Sequence, residues 1–522
     1  MAQLKKRDNW GSRLGIIMAV AGSAIGLGNF LRFPAKAAAN GGGAFMIPYF
    51  ISLLLLGIPL MWIEWTLGRY GGGFGHGTAP GIFHSLWNKN RFIKYFGVIG
   101  IFGPLVIFIY YTFIESWTLA YSFFALSGKY AALGDQVTMR SFLAGFQGLE
   151  KNQYFNGIGV AYTFFLVTFL LNIWVIYYGI KGGIEKLCKW AMPVLFIFGI
   201  ALMIRVLTLG TPDPNHPDWN VLQGFGFLWN PDFSALKSAK VWLEAAGQIF
   251  FTLSVGIGVI LTYASYLKKA DDVVLSGTTA AMTNEFAEVI LGASIVIPAA
   301  FVFFGPTDIK TIASSGVFNL GFVTMPLVLN KLPMAAIFGF FWFFLLFLAG
   351  ITSSVSLAQP AVTFLEDEFN INRKKAVSIF GIVSFVLCQP AIFFLGRGVV
   401  DELDFWGGTF FLVVFATIET VLFVWVFGMD RAWEEIHHGA DMTIPKVYKF
   451  IIKYITPLFL FIILGMWFAQ EWLPKIMLKN VSGADKPFIL GTRLGLLLIF
   501  VILAILVKIA WRRKRIITER MR

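Results

Sequence analysis

Two stretches of this 522-residue chain decide its fold, Ala21-Gly-Ser-Ala-Ile-Gly-Leu-Gly-Asn29 and Phe251-Thr-Leu-Ser-Val-Gly-Ile-Gly258. Each lies in an uncharged run and carries two glycines two positions apart. A glycine inside a helix costs about 1 kcal/mol relative to alanine, so the pairs Gly26/Gly28 and Gly256/Gly258 predict local unwinding. Close helix packing through small residues is the alternative interpretation of each pair.

The two stretches fall in the first and sixth of twelve uncharged runs, and each run is long enough, with its flanks, to cross a bilayer as a helix. Strands of a membrane β-barrel would be shorter and alternate in polarity. The sequence therefore predicts an all-α polytopic membrane protein with twelve transmembrane helices. The runs cover residues 14–31, 37–63, 95–114, 154–180, 190–204, 245–267, 289–307, 332–365, 376–396, 405–418, 454–470 and 494–507.

The composition agrees with a membrane protein, because 57% of residues are hydrophobic and 14% are charged. Soluble domains carry roughly 45–50% apolar and about 25% charged residues, so a soluble domain and a disordered chain are excluded. With twelve spans both termini lie on one side, and that side holds 27 of the 42 Lys and Arg residues. The positive-inside rule then predicts cytoplasmic termini in the cell's inner (plasma) membrane. The net charge of +13 is an orientation signal and not a nucleic-acid-binding signal.

Unwound backbone at membrane depth is tolerated where it is buried in protein or lines a cavity, and there it offers free N–H and C=O groups to an anion and a cation. Breaks in the first and sixth helices occupy corresponding positions of two five-helix halves, which predicts a five-plus-five inverted repeat. The expected organisation is a cytoplasmic N-terminal segment (1–13), a first repeat (14–206), a second repeat (239–429), helices 11 and 12 (446–511) and a basic cytoplasmic tail (512–522).

Polar residues at membrane depth extend this expectation. Asn284 and Glu288 enter the seventh run and Thr352 and Ser353 lie inside the eighth. Such groups supply the hard oxygen ligands that suit Na⁺, although hydroxyls in membrane helices commonly bond to their own backbone. The gaps 115–153, 205–244 and 308–331 are expected to form partial helices that cap the extracellular face.

At this point the sequence resembles the neurotransmitter:sodium symporter family, its bacterial leucine-transporting members most closely, from about residue 4 to about residue 510. The motifs that carry the resemblance are Gly22-Ser-Ala-Ile-Gly-Leu-Gly-Asn-Phe-Leu-Arg-Phe-Pro34, Asn40-Gly-Gly-Gly-Ala-Phe45, Tyr110-Tyr111, Glu115-Ser-Trp117, Gln248-Ile-Phe-Phe-Thr-Leu-Ser254 and Asp404-Phe-Trp406.

The resemblance implies two sodium sites and a site for an amino acid between them. The first sodium site would use Ala24, Asn29, Thr252 and Asn284, completed by the substrate carboxylate. The second would use Gly22, Ile25, Ala349, Thr352 and Ser353. The substrate would contact Ala24, Gly26, Leu27, Gly28, Ile107, Tyr111, Phe251, Thr252, Ser254, Ile257, Ser353 and Leu357.

Gates and a counter-charge also follow from the resemblance. Arg32 and Asp404 would form the extracellular gate. Arg7, Trp10, Ser265, Tyr266, Gln359 and Asp367 would form the cytoplasmic gate. Glu288 stands where chloride-dependent relatives have Ser, so a fixed carboxylate would replace bound chloride, with proton exchange there as a further option.

The predicted function is sodium-coupled symport of a neutral, aliphatic L-amino acid into the cell by alternating access, without chloride. The expected ligands are a neutral amino acid, two co-transported Na⁺ ions and the lipid bilayer. No enzymatic activity, no other cofactor and no nucleic acid is expected, and the oligomeric state is left open. An amino-acid-binding membrane sensor and a same-fold carrier of another small solute are the alternatives.

Overall fold

The computed structural model describes residues 8–212, 214–314, 316–479 and 481–520, and every named element among them is helical. Twelve helical segments match the twelve predicted runs, and we number them spans 1–12. They are Arg13–Ala24 with Gly28–Ala39, Gly43–Gly72, Ile93–Leu126, Gly159–Tyr177, Ile180–Leu207, Ala239–Thr252 with Val259–Ala264, Val274–Ile309, Ala335–Phe369, Arg373–Phe393, Val399–Val426, Val447–Ile476 and Lys486–Arg513.

Spans 1 and 6 are the interrupted helices. Ten segments of the described chain are continuous helices long and apolar enough to cross a membrane, and span 1 passes the same test as a pair bent by 47°. The halves of span 6 are separated by the non-helical residues 253–258, and each half is short by itself. An all-α polytopic membrane protein with broken first and sixth helices is therefore confirmed.

Shorter helices occupy the three long gaps, as predicted. They are Gln136–Phe146, Val221–Trp229 and Val317–Asn330. The first begins at Asp135, whose carboxylate accepts the backbone N–H groups of Val137 and Thr138 at 2.8 and 2.9 Å. These bonds, that from Thr138 above all, hold the pKa of Asp135 below its usual value. The sequence did not predict two further short helices, Ala79–Leu86 and Met429–His437.

Burial divides the bundle into a centre and a rim. The most apolar stretch of span 3 is 100% buried, whereas that of span 12 is 22% buried. Span 3 packs along span 8, and the first half of span 1 packs against spans 5, 7 and 8. Large aliphatic side chains such as Ile382, Leu458 and Leu494 are exposed on spans 9, 11 and 12. Such an apolar surface suits contact with lipid. The broken helices lie away from it, packed at the centre of the bundle.

The division into repeats 14–206 and 239–429 stays a prediction. The positions of the two breaks are consistent with it, because span 1 opens the first proposed repeat and span 6 opens the second.

Candidate functional site

The break in span 1 exposes backbone N–H groups to polar side chains. The first half ends at Ala24, and Ile25 has an extended ψ of 93°. The Gly26 N–H donates to Asn29 Oδ1 at 2.8 Å, and the Leu27 N–H donates to the Tyr111 hydroxyl at 3.2 Å. At the positive end of the second half-helix, the Gly26 N–H thus faces Asn29 of its own span and the Leu27 N–H faces span 3.

The break in span 6 depends on left-handed backbone. Ser254, Gly256 and Gly258 have φ values of 54°, 76° and 91°. A Cβ on Gly256 would lie 2.6 Å from the Leu412 carbonyl oxygen, and one on Gly258 would lie 2.5 Å from the Gly100 carbonyl oxygen. Glycine is therefore required at both positions for conformation and for close approach.

The glycines of span 1 serve close approach alone. A Cβ on Gly28 would lie 2.5 Å from the Phe251 ring. A Cβ on Gly26 would lie 3.0 Å from both the Tyr111 hydroxyl and Ser353 Oγ. The glycine pairs were predicted to mark either local unwinding or close helix packing. Both occur here, because the helices are interrupted at the pairs and the two spans approach each other closely at Gly28.

A buried polar cluster connects spans 1, 6 and 7. Asn29 Nδ2 lies 3.0 Å from Thr252 Oγ1, 2.7 Å from Asn284 Oδ1 and 3.0 Å from Glu288 Oε2. The Thr252 hydroxyl also donates to Glu288. All four side chains are at most 1% exposed. Three predicted ligands of the first sodium site and the predicted counter-charge are thus brought into direct contact.

The Ala24 carbonyl, the fourth predicted ligand, belongs to the same cluster. One terminal atom of the Asn284 amide lies 3.3 Å from the Ala24 carbonyl oxygen and 3.1 Å from the Thr252 carbonyl oxygen. If that atom is the amide oxygen, three oxygens converge and a cation would stabilise them. If it is the nitrogen, it donates to both carbonyls.

The predicted second sodium site forms a separate cluster between spans 1 and 8. Ser353 Oγ lies 3.0 Å from the Ala349 carbonyl oxygen, 3.4 Å from that of Gly22 and 3.1 Å from that of Ser23. The Thr352 hydroxyl lies 3.2 Å from the Ala349 carbonyl oxygen. Oxygens of four predicted ligands therefore face one another. For the fifth, Ile25, the structure places the residue at the break itself.

The residues predicted to line the side-chain pocket lie on span 3, in the break of span 6 and on span 8. Ser254 Oγ donates to the Ser23 carbonyl at 3.0 Å, which ties the break of span 6 to span 1. The predicted apolar lining residues Ile107, Ile257 and Leu357 are all buried. Two further predicted substrate contacts lie beside the glycines of span 1, Tyr111 next to Gly26 and Phe251 next to Gly28.

The predicted extracellular gate residues have other partners in this structure. The Arg32 guanidinium carbon lies 4.4 Å from the centroid of the Phe251 ring, a cation–π contact. Asp404 Oδ1 accepts the Tyr110 hydroxyl at 2.6 Å. No ion pair joins these two described residues. At this end of the candidate site, Arg32 therefore contacts an aromatic ring in place of Asp404.

The other end is closed by the segment that follows the N-terminus. Trp10 Nε1 donates to the Tyr263 carbonyl at 3.0 Å, and the two rings meet edge to face at 5.3 Å. The Gly11 N–H donates to Glu185 at 2.7 Å. Arg13 forms an ion pair with Asp272 at 2.6 Å. Of the predicted cytoplasmic gate residues, Arg7 lies outside the described residues.

The remaining predicted gate residues lie near one another on spans 6 and 8. Gln359 Nε2 donates to the Tyr266 hydroxyl at 3.1 Å, and the side-chain oxygen Oε1 of Gln359 accepts a hydrogen bond from the Arg373 guanidinium at 2.9 Å. Ser265 donates to its own helix, to the Thr262 carbonyl. Asp367 lies two turns beyond Gln359 on span 8. The sequence reasoning missed Arg373, although the cationic run at the start of span 9 carries it.

Three further residues at the site were missed. The Gln248 amide donates to Glu288 at 2.7 Å, and Tyr49 donates to Glu285 at 2.8 Å. Glu64 accepts the Gly256 N–H at 2.5 Å and so holds the break of span 6. An ionisable residue inside a span was the available signal for Glu64. For Tyr49 and Gln248 the sequence offers no signal apart from their proximity to such spans.

A helical membrane bundle in which two interrupted spans meet at buried oxygen clusters is the architecture of secondary transporters with discontinuous helices. The family model described as the sodium:neurotransmitter symporter family matches residues 7–132 and 136–511. The chain belongs to this family, whose members are sodium-dependent transporters.

Individual relatives agree with this membership. The chain is 31% identical over 512 residues to a sodium-dependent transporter of Methanocaldococcus jannaschii, covering 96% of this chain and 98% of that one. It is 26% identical over 532 residues to the sodium- and chloride-dependent glycine transporter 2 of Xenopus laevis, covering 90% and 65%. The crystal structure of MhsT in complex with L-phenylalanine is similar with a TM-score of 0.74, at 30% identity over 88% of this chain and 99% of that one.

Proposed function

We propose that the protein carries a neutral, aliphatic L-amino acid into the cell together with two Na⁺ ions, by alternating access and without chloride. The observation that carries the proposal is the meeting of the two broken spans. There, backbone N–H groups at residues 26 and 27 lie beside the cluster formed by Asn29, Thr252 and Asn284. Anion-binding and cation-binding groups therefore adjoin at one buried place.

An α-amino acid matches this arrangement. Its carboxylate would take the N–H groups of residues 26–28 and the Tyr111 hydroxyl, and its amine would meet carbonyls of the two breaks. The tight space at Gly26 supports a substrate that brings its own carboxylate, because even a Cβ would lie 3.0 Å from Tyr111 and Ser353. Relatives that carry monoamines have an Asp at this position, and an Asp side chain would occupy that space.

The two sodium ions would bind at the two oxygen clusters. In the first cluster the substrate carboxylate would complete the ligand set, so that sodium and amino acid stabilise each other by linkage. In the second cluster every proposed ligand is a neutral oxygen of Gly22, Ile25, Ala349, Thr352 or Ser353. Sodium would favour the state open to the outside, and substrate would then close the outer end.

Chloride independence is proposed from Glu288. Its carboxyl group contacts Asn29, Thr252 and Gln248, so it would supply a fixed negative charge beside the first cluster when sodium is bound there. A bound anion would there add repulsion between like charges.

The aliphatic preference is proposed from the pocket, where Ile107, Ile257 and Leu357 are buried and apolar. An aromatic amino acid is the second candidate, because the similar MhsT structure is a complex with L-phenylalanine. One methylene in an apolar pocket changes discrimination by only about 1–3 kcal/mol. Both classes therefore belong in a substrate screen.

The proposed location is the plasma membrane, with both termini in the cytoplasm. The excess of Lys and Arg on the side of the termini supports this orientation. The end closed by Trp10 would then face the cytoplasm, and the end with Arg32 and Asp404 would face outward.

The test is uptake of labelled amino acids into proteoliposomes with and without an inward Na⁺ gradient. We expect accumulation of an aliphatic amino acid that requires Na⁺, is not supported by K⁺ and persists when gluconate replaces chloride. Binding without gradient-driven accumulation would instead identify a sensor. Failure of every α-amino acid to compete with a labelled ligand would identify a carrier of another solute.

A further inference from the structure

Glu115 is a buried carboxyl group that belongs to neither of the two proposed sodium sites nor to the proposed substrate site. It lies on span 3, four residues after Tyr111, and is 0% exposed. Its two carboxyl oxygens lie 3.1 and 3.3 Å from the same Asn172 Nδ2 atom. That nitrogen also lies 3.0 Å from the Thr168 carbonyl oxygen. One amide group with two hydrogens is thus shared among three acceptors.

The carboxyl packs directly behind the second oxygen cluster. A Cβ on Gly350 would lie 2.8 Å from Glu115 Cγ, so span 8 approaches Glu115 by its backbone. The Asn172 amide oxygen accepts the Ser354 hydroxyl at 2.5 Å. Gly350 follows Ala349, and Ser354 follows Ser353. On span 8, the residues packed against Glu115 and Asn172 therefore directly follow residues that are proposed to bind sodium.

No positive charge compensates this carboxyl in the protein itself. Within the described residues Glu115 forms no ion pair, and the side chains that span 4 and span 8 place against it, Asn172 and Ser354, are neutral. Tyr111 on its own helix is the titratable neighbour. A buried carboxyl group that has no positively charged partner is stable either as the neutral acid or beside a bound cation.

We propose that Glu115 is the negative charge partner of the sodium ion in the second cluster, and that it loses its proton when this ion binds and regains it when the ion leaves. This inference rests on the proposed function, because it assumes that Na⁺ occupies this cluster. The O–H bond of the acid breaks, the electron pair stays on the carboxylate, and the proton passes to the aqueous phase that supplied the sodium. Glu115 is a positioning residue, since its contacts reach the ion's ligands through span 8.

The direction of the pH effect follows from this exchange. Lower pH favours the neutral acid, removes the negative charge behind the cluster and raises the Na⁺ concentration needed for binding. Groups that support metal ligands from behind typically change metal affinity by about 10- to 100-fold when altered. Glu115→Gln keeps the shape but cannot ionise, whereas Glu115→Asp keeps a titratable carboxyl.

The experiment uses purified full-length protein without amino acid. Sodium chloride is titrated from about pH 6 to about pH 9, and two quantities are recorded: the Na⁺ midpoint of thermal stabilisation and the protons released into weak buffer. Potassium chloride is the ionic-strength control. Each variant is also made in the Glu288→Gln background, which removes the carboxyl that contacts the first cluster.

In the wild type we expect the Na⁺ midpoint to rise as pH falls and protons to be released on Na⁺ addition. Glu115→Gln should raise the Na⁺ midpoint about tenfold. In the Glu288→Gln background, Glu115→Gln should also abolish the remaining pH dependence of the midpoint and the remaining proton release. Glu115→Asp should restore the pH dependence. Unchanged behaviour in Glu115→Gln, or a pH-independent midpoint in the wild type, would overturn the inference. A wild type with no Na⁺-specific stabilisation would instead contradict the proposed function.

Discussion

At the scale of single residues, Glu288 is the side chain from which chloride independence is proposed. Its carboxylate is fully buried and accepts hydrogen bonds from the amides of Asn29 and Gln248. Because these donors lie in spans 1 and 6 and Glu288 lies in span 7, the carboxylate joins three spans at the proposed first sodium site. Its removal would take away the acceptor of the buried Gln248 amide and one of the three acceptors around Asn29 Nδ2.

Glu288→Ser is therefore expected to make transport chloride-sensitive, because a chloride ion could accept the hydrogen bonds that the carboxylate no longer accepts. Uptake should fall about tenfold when gluconate replaces chloride, the scale expected for a lost charge-assisted hydrogen bond. The wild type under the same replacement is the control. Equal activity of the variant in both anions would refute the counter-charge argument.

At the scale of the helices, the breaks depend on how closely spans 1 and 6 approach. The Phe251 ring lies where a Cβ of residue 28 would be, at 2.5 Å. Phe251 also carries the contact with Arg32. A change in glycine content here should therefore affect ligand binding and the outer end together.

Gly28→Ala is expected to weaken amino-acid binding at least about tenfold, although alanine favours helix over glycine by about 1 kcal/mol. The reason is steric, since the new methyl group displaces the Phe251 ring. Gly465→Ala in span 11 is the matched control, because nothing lies within 4 Å of its added Cβ. Equilibrium binding of a labelled amino acid checks both variants. Normal affinity in Gly28→Ala would show that the ring can move without cost.

The helices themselves were predictable because membrane helices have a strong local signal. All twelve segments matched uncharged runs, and both breaks fell at the glycine pairs. The partners of side chains were less predictable, because they depend on which spans pack together. Glu64 bonding to the break of span 6 is one example. Arg32 and Asp404 are another, since their contacts depend on the conformational state that the bundle adopts.

At the scale of the whole molecule, one end is sealed more firmly than the other. Trp10, Gly11 and Arg13 attach the N-terminal segment to spans 5 and 6 and to Asp272. At the opposite end no ion pair joins the described gate residues Arg32 and Asp404; Arg32 contacts the Phe251 ring and Asp404 accepts the Tyr110 hydroxyl. This asymmetry corresponds to a state closed at the Trp10 end.

Trp10→Ala is expected to open this end about thirtyfold more often, since a hydrogen bond and an edge-to-face contact are each worth about 1 kcal/mol and about 1.4 kcal/mol corresponds to a factor of ten. Cys188 is a native reporter, because it is fully buried on span 5 one turn after Glu185. Its labelling by a thiol reagent should accelerate relative to that of the buried Cys388. Trp190→Ala, at a side chain that is 54% exposed, is the control. Unchanged Cys188 labelling in Trp10→Ala would show that Trp10 does not hold this end closed.

The interrupted backbone of spans 1 and 6 also has an evolutionary consequence. The Ser23 carbonyl and the N–H groups of residues 26 and 27 belong to the main chain, so among point mutations only a change to proline deletes such an N–H, and none deletes the carbonyl. The pocket side chains Ile107, Ile257 and Leu357 can be exchanged by one codon change each. A lineage can therefore change the solute that it selects through these side chains while it keeps the main-chain groups at the two breaks.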